Sequence, residues 1–212
     1  VFLATRGNGV LRSNNGGASW TTITPTGMVA DICDLDYSTS TGRLHVVSGI
    51  FTTQTYRYTD IPATVASGSG WNAAAVGFPS FANRAEIACS GNVSYACPAD
   101  GTDQVPTIYK STNGGANWAA TAAQPTTGWA SGQGWYSLAV GIDPSNSNNC
   151  IVGGLENYGT TDGGNTWTKI STWVGTTGQY VHADMHDIVW YDNGNKLLFA
   201  CDGGIHYSAD KG

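Results

Sequence analysis

Ser13-Asn14-Asn15-Gly16-Gly17-Ala18-Ser19-Trp20 occurs again as Ser111-Thr112-Asn113-Gly114-Gly115-Ala116-Asn117-Trp118 and as Thr160-Thr161-Asp162-Gly163-Gly164-Asn165-Thr166-Trp167. A cut-off copy, Ser208-Ala209-Asp210-Lys211-Gly212, stands last. The copies begin at positions 13, 111, 160 and 208, a period of about 49 residues with one weak copy between the first two. A fixed period of this length marks a repeat architecture.

Each copy has a chemical logic. A hydroxyl residue is followed two places on by Asn or Asp, whose side chain accepts hydrogen bonds from downstream backbone N–H groups and closes a turn. The paired glycines supply positive φ without a Cβ clash. The Trp opens the next strand and buries a large ring whose indole N–H seeks a partner. Short strands flank the motif, as in Gly9-Val10-Leu11-Arg12 before it and Trp20-Thr21-Thr22-Ile23 after it. Two further apolar runs fill each period, for example Asp187-Ile188-Val189-Trp190-Tyr191-Asp192 and Leu197-Leu198-Phe199-Ala200. Four short strands per period, separated by Gly, Asn and Asp turns, predict one propeller blade per repeat. No segment holds a helical period over three turns.

The pattern resembles the Asp-box, or BNR, repeat of sialidases, xyloglucanase-type glycoside hydrolases, sortilin-type receptor domains and photosystem assembly propellers. The motif residues are Ser13, Asn15, Gly17 and Trp20; Ser111, Asn113, Gly115 and Trp118; and Thr160, Asp162, Gly164 and Trp167. The resemblance covers residues 1–212 as one domain. It implies an all-β β-propeller of four-stranded antiparallel blades, about four blades of chain, with the Asp-box turns at the outer edge and away from the axis. The second blade departs from the pattern, and Tyr58-Thr59-Asp60 with Trp71 is its remnant. The chain begins at the second strand of a blade and stops before a motif Trp, so a partial propeller and a longer parent chain are expected.

Composition narrows function. Nine Lys and Arg stand against fifteen Asp and Glu, for a net charge of −6. That balance argues against nucleic acid, whose phosphates need clustered cations. No apolar run reaches the length of a membrane span. Cys89 and Cys97 flank a tight turn, and the sequence allows either a disulfide or two buried thiols there. None of the five cysteines follows a zinc-ligand spacing, and neither a metal ion nor a cofactor is expected. Composition and the resemblance together point to a secreted or cell-surface protein whose partners are a glycan or another surface protein, and the rest of its own chain.

Chemistry is expected where the loops leading into the innermost strands meet the loops between second and third strands. The first set carries Asp31, Asn83, Arg84, Glu86, Trp135, Tyr136 and Val181-His182-Ala183-Asp184-Met185-His186-Asp187. The second carries Arg6, Arg57, Asp100, Asp103, Glu156, Tyr158 and Asp202. In an extended segment His182, Asp184 and His186 share one side. Two imidazoles and a carboxylate suit ligand contact, acid–base work or metal ligation. The alternative is structural, with Asp184 orienting a histidine and Asp187 bonding backbone N–H groups of a neighbouring blade. Strand phase sets Asp192 level with Asp143 and Asp36, and hence Asp187 level with Asp31 and Leu138. The ligand-binding candidates are His182, Asp184, His186, Trp135, Tyr136, Arg84 and Arg57. Asp187, Glu156, Asp202 and Asp31 are the carboxylates available for the pair that glycoside hydrolysis requires. Trp71, Trp129, Trp173 and Tyr180 are further rings able either to stack on sugars or to pack between blades. The match to sialidases, which grip a carboxylate with three arginines, is poorer: of Arg6, Arg12, Arg43, Arg57 and Arg84, strand phase sets Arg12 and Arg43 away from the funnel, and the Arg-Ile-Pro motif is absent. The sequence therefore favours a non-catalytic binding, adhesion or scaffolding module, with a glycoside hydrolase of the Asp-box type as the alternative.

Overall fold

The computed structural model describes residues 1–80, 82–99, 102, 105–126, 128–175 and 179–212; Asp100 and Asp103 lie outside the described residues. The described structure is all β, in five antiparallel sheets. The first holds β1 (Phe2–Thr5), β2 (Gly9–Arg12) and β3 (Thr21–Thr22). The second holds β4 (Ile32–Ser38), β5 (Arg43–Ser48) and β7 (Thr55–Thr59). A bridge between Tyr58 and Asn72 puts the weak second repeat, with Trp71, at the place of its fourth strand. The third sheet runs β8 (Ala82–Ser90), β9 (Val93–Ala99), β10 (Tyr109–Ser111) and β11 (Ala119–Ala120), with the short β6 (Thr52–Thr53) on the edge of β8. The fourth is β12 (Ala139–Ile142), β13 (Cys150–Gly153), β14 (Asn157–Thr160) and β15 (Thr168–Ser171). The fifth is β16 (Met185–Tyr191), β17 (Lys196–Cys201) and β18 (Gly204–Ser208). About four periods of chain thus spread over five sheets, because the first and last are each three strands.

The repeated turn joins third and fourth strands and works the same way each time. In the second full copy the Ser111 hydroxyl donates to Asn113 Oδ1 at 3.0 Å and accepts the N–H of Gly115 at 2.9 Å, while Asn113 Oδ1 accepts the N–H of Asn117 at 2.9 Å. Ser13–Asn15 and Thr160–Asp162 repeat the pattern, and Ser208–Asp210 forms its first half. Gly115 is required here twice over: its φ is +85°, and a Cβ would overlap the Tyr56 hydroxyl of the preceding sheet. The turn residues bond their own backbone, which leaves the motif no spare chemistry. The motif tryptophans have different fates: Trp118 is buried and donates to Gly115 O, Trp167 donates to Ala123 O, and Trp20 is largely exposed.

Four apolar layers separate the five sheets in series. Val10, Ile23, Ile32, Leu44 and Val46 pack between the first two, and Val47, Tyr56, Ala85, Ile87 and Trp118 between the second and third. Tyr95, Cys97, Trp129, Leu138 and Val152 fill the next layer; Ile151, Met185, Ile188, Leu197 and Phe199 fill the last. The first strands β4, β8, β12 and β16 stand side by side and line a cavity of about 530 Å³. Acidic groups bridge them. Asp34 Oδ2 accepts the N–H of Ile87 at 2.9 Å, and Asp36 Oδ2 accepts that of Cys89 at 2.6 Å.

One open alternative is decided and one expectation is corrected. No disulfide joins Cys89 to Cys97. The hairpin sets Cys89 opposite Ser94 and Cys97 opposite Glu86, so the two thiols project to opposite faces of the sheet. Burial pushes both the Cys33 thiol, to about 12, and the Cys89 thiol up, and so both stay protonated. The strand phase also shifts. Tyr191 pairs with Lys196 as Ser38 pairs with Arg43, so Asp187 stands level with Asp34 rather than with Asp31. The two turns are equally long, residues 39–42 and 192–195; the shift arises because β4 runs past Asp36 to Ser38, whereas β16 ends at Tyr191, just before Asp192.

Candidate functional site

The loops before β12 and β16 and the loop after β17 converge on one end of the arc. Tight turns set the first. The N–H groups of Tyr136 and Ser137 both reach Gln133 O at 2.8 Å, which throws the Trp135 and Tyr136 rings outward. Buried Ser137 then accepts the N–H of Met185 at 2.9 Å and ties this loop to the start of β16. In the second loop Asp184 has φ of +67° and its carbonyl accepts the N–H of Asp202 at 3.2 Å. A register shift between Met185 and Asp187 makes His186 the extra residue of a β-bulge. Bulges re-aim a side chain out of the pleat, and here His186 is turned towards Asp202.

The result is a compact polar group. Tyr136 Oη lies 3.0 Å from both carboxylate oxygens of Asp202, and His186 Nε2 lies 2.6 Å from Asp202 Oδ1. The hydrogen bond from His186, then that from Tyr136, holds the Asp202 carboxyl below its usual range. The same bond to Asp202 raises Tyr136. An ionised carboxylate only accepts, so Nε2 of His186 carries the proton towards it. His182 packs against Gly203, where a Cβ would overlap its ring, and its Nδ1 lies 2.9 Å from Ala183 O. Asp184 Oδ1 is shielded from solvent and has no hydrogen-bond partner among the described residues. Beside the group runs a line of exposed rings. Tyr136 meets His186 edge-on at 5.1 Å between centroids, Trp135 lies 5.6 Å from Tyr136, and Phe51 lies 6.1 Å from Trp135, with the Arg6 guanidinium 5.7 Å above Phe51. Phe51, Trp135 and Tyr136 are 55%, 46% and 38% exposed.

Arg84 reaches the same region with its charge committed. It pairs with Glu86 at 2.6 Å and donates to Tyr136 O at 2.5 Å, fixing the aromatic loop to the third sheet. Burial pushes Glu86 and Asp34 above the ordinary carboxyl range, and each raises or bonds the other. The remaining candidates stand apart. Arg57 lies within β7 opposite Val46, not in a loop, and donates to Tyr56 O at 2.8 Å. Glu156 is held by Lys169 and Thr172. Asp187 lines the axial cavity and accepts the N–H of Ile188 at 2.8 Å. The Asp31 carbonyl accepts the N–H of Gly49. Trp129 is fully buried and Trp71 donates to Ile23 O, so both pack between sheets, while Trp173 and Tyr180 remain exposed. Tyr158 is buried and donates to Thr126 O. Sequence reading missed Phe51; the signal was a large apolar residue in the loop between β5 and β7, at φ of +55°. Among the described residues no cluster of His, Cys, Asp and Glu has the geometry to hold a metal ion.

No family model and no curated protein matches the chain. Solved structures do. A GH74 enzyme from Niastella koreensis aligns over 100% of this chain and 32% of its own, at 15% identity and a TM-score of 0.64. A GH74 xyloglucanase from Xanthomonas campestris aligns over 99% of this chain and 34% of its own, at 20% identity and a TM-score of 0.66. YCF48 from Cyanidioschyzon merolae aligns over 99% and 62%, at 15% identity and a TM-score of 0.57. The chain spans about a third of the length of the two GH74 enzymes. These neighbours are β-propeller proteins, and the fold is consistent with an Asp-box propeller family.

Proposed function

We propose that the chain is a binding module of a secreted or cell-surface protein, and that the Phe51–Trp135–Tyr136–His186 line with Asp202 receives a glycan chain. The observation that carries this reading is the line itself: four rings in consecutive contact, exposed, ending at an ionised carboxylate. Aromatic faces suit the apolar faces of sugar rings, and Asp202 and His182 suit hydroxyl groups. Two of the solved neighbours are GH74 enzymes, which accords with glycan handling on this fold. Fold alone does not carry activity.

A glycoside hydrolase is the second reading. It has one observation in its favour: Asp202 is held below the usual carboxyl range while burial raises Asp34, and hydrolysis needs one carboxyl of each kind. The test is affinity electrophoresis against a panel of soluble polysaccharides, with reducing-end release measured in parallel. Retardation by one polysaccharide that Trp135→Ala abolishes, without sugar release, supports the module. Release abolished by Asp202→Asn supports the hydrolase. No retardation by any polysaccharide refutes both.

A further inference from the structure

One cation stands without a polar partner at the far end of the aromatic line. Eight of the nine Lys and Arg side chains hold a carboxylate or a backbone carbonyl. Arg6 is exposed, and among the described residues it makes neither a hydrogen bond nor an ion pair; its guanidinium lies 5.7 Å from the centre of the Phe51 ring. Both sides of that contact are anchored. The N–H groups of Gly7 and Gly9 donate to Ala30 O at 3.1 and 2.9 Å, and the Thr5 hydroxyl donates to Gly9 O at 2.7 Å, which fixes the β1–β2 turn that carries Arg6. The N–H of Phe51 donates to Asn83 O at 2.9 Å and fixes its loop to β8. A guanidinium resting on an aromatic face keeps its N–H edge free for a ligand.

The line therefore has a direction. Arg6 stands at its Phe51 end and Asp202 at its His186 end. Between them the ring centroids are 6.1, 5.6 and 5.1 Å apart, each gap close to the length of one pyranose unit. An anionic group on a bound chain is repelled by the Asp202 carboxylate and drawn to Arg6, so the two ends orient it. Arginine offers a planar fork that meets a carboxylate with two parallel N–H···O bonds, an arrangement that no group of a neutral sugar reproduces.

We propose, resting on the glycan-binding reading, that the ligand is an acidic polysaccharide, and that Arg6 binds the carboxylate of a uronic acid residue a few sugar units away from the one whose hydroxyls meet Asp202. Phe51, Trp135 and Tyr136 hold the units between. The rings accept any pyranose chain, and Arg6 selects the charged one. The ion pair is exposed, so the preference weakens as salt rises.

The probes are polygalacturonate, glucuronoxylan and alginate, each before and after carbodiimide–borohydride reduction of its carboxyl groups to the neutral sugar, with carrageenan as a sulfated control. Calorimetry at low salt compares the wild type with Arg6→Ala and Trp135→Ala, and thermal melts check that each variant is folded. The wild type should bind at least one uronate polysaccharide roughly three- to tenfold more tightly than its reduced form, and Arg6→Ala should bind both forms equally. Equal binding of intact and reduced polysaccharide by the wild type, lost in Trp135→Ala, overturns the choice of ligand and leaves the glycan-binding reading standing. A preference for the intact form that persists in Arg6→Ala overturns the role of Arg6. Arg6-dependent binding of carrageenan alone overturns the carboxylate as the group recognised. Binding of none of these polysaccharides, intact or reduced, overturns the inference, and the wider polysaccharide panel then decides the glycan-binding reading by itself.

Discussion

The hydroxyl of Tyr136 donates to both carboxylate oxygens of Asp202, 66 residues along the chain, at 3.0 Å. The bond joins the loop before β12 to the loop after β17, and His186 completes it from β16. Neither Asp202 nor Tyr136 is deeply buried, so the bond contributes more to orientation than to stability. Asp202→Asn or Tyr136→Phe should weaken glycan binding about tenfold while leaving the Tm within about 2 °C. Paired binding isotherms and thermal melts check this. A large fall in Tm with binding retained would make the group a structural tie.

Asp36 should be structural. Its carboxylate accepts the N–H groups of Tyr37 and, in the adjacent sheet, Cys89. Asp36→Ala leaves those donors unpaired, and the expected cost is about 1–3 kcal/mol. Chemical denaturation of the wild type and variant measures it, and an unchanged midpoint would refute the staple.

The repeated turns should act on stability alone. Ser111→Ala removes the acceptor for Gly115 N–H in a buried turn, at a cost of about 1 kcal/mol. Ligand binding should not change, because the turn lies at the outer end of its sheet. Binding lost in proportion to the variant's intact folded fraction fits the expectation; binding lost beyond it does not.

Histidine 45 should make the fold acid-sensitive. It is fully buried, its Nδ1 lies 2.7 Å from the Tyr56 hydroxyl, and burial lowers its pKa from 6.5 to about 4. A depressed histidine leaves the unfolded chain binding the proton first. Stability therefore falls as pH drops below about 6.5 and levels off near 4, by up to roughly 3 kcal/mol. Asp34, Asp36 and Glu86 run the other way: their raised values favour the fold at low pH, and that contribution is lost as pH rises through their folded values. His45→Gln should flatten the histidine part of the curve between pH 6.5 and 4, as read by denaturation at a series of pH values. An unchanged slope there would exclude His45 as its source.

The period of the Ser/Thr-x-Asn/Asp-x-Gly motif determined the architecture by itself, because each turn closes on its own backbone within five residues and needs nothing from elsewhere. The same locality made His182-Ala183-Asp184-Met185-His186 legible as a cluster. The tertiary structure decided the rest. That Tyr136 meets Asp202, that Arg84 is spent on Glu86 and a carbonyl, and that Phe51 extends the aromatic line all depend on which loops the stacked sheets bring together. The level of Asp187 depended on where each strand ends, at Ser38 in β4 and at Tyr191 in β16, which an Asp near the strand end does not mark, and a one-residue slip changes the face of every side chain that follows. Cys89 and Cys97 failed to bond for the same reason: short separation in sequence says nothing about which face of the pleat each thiol occupies.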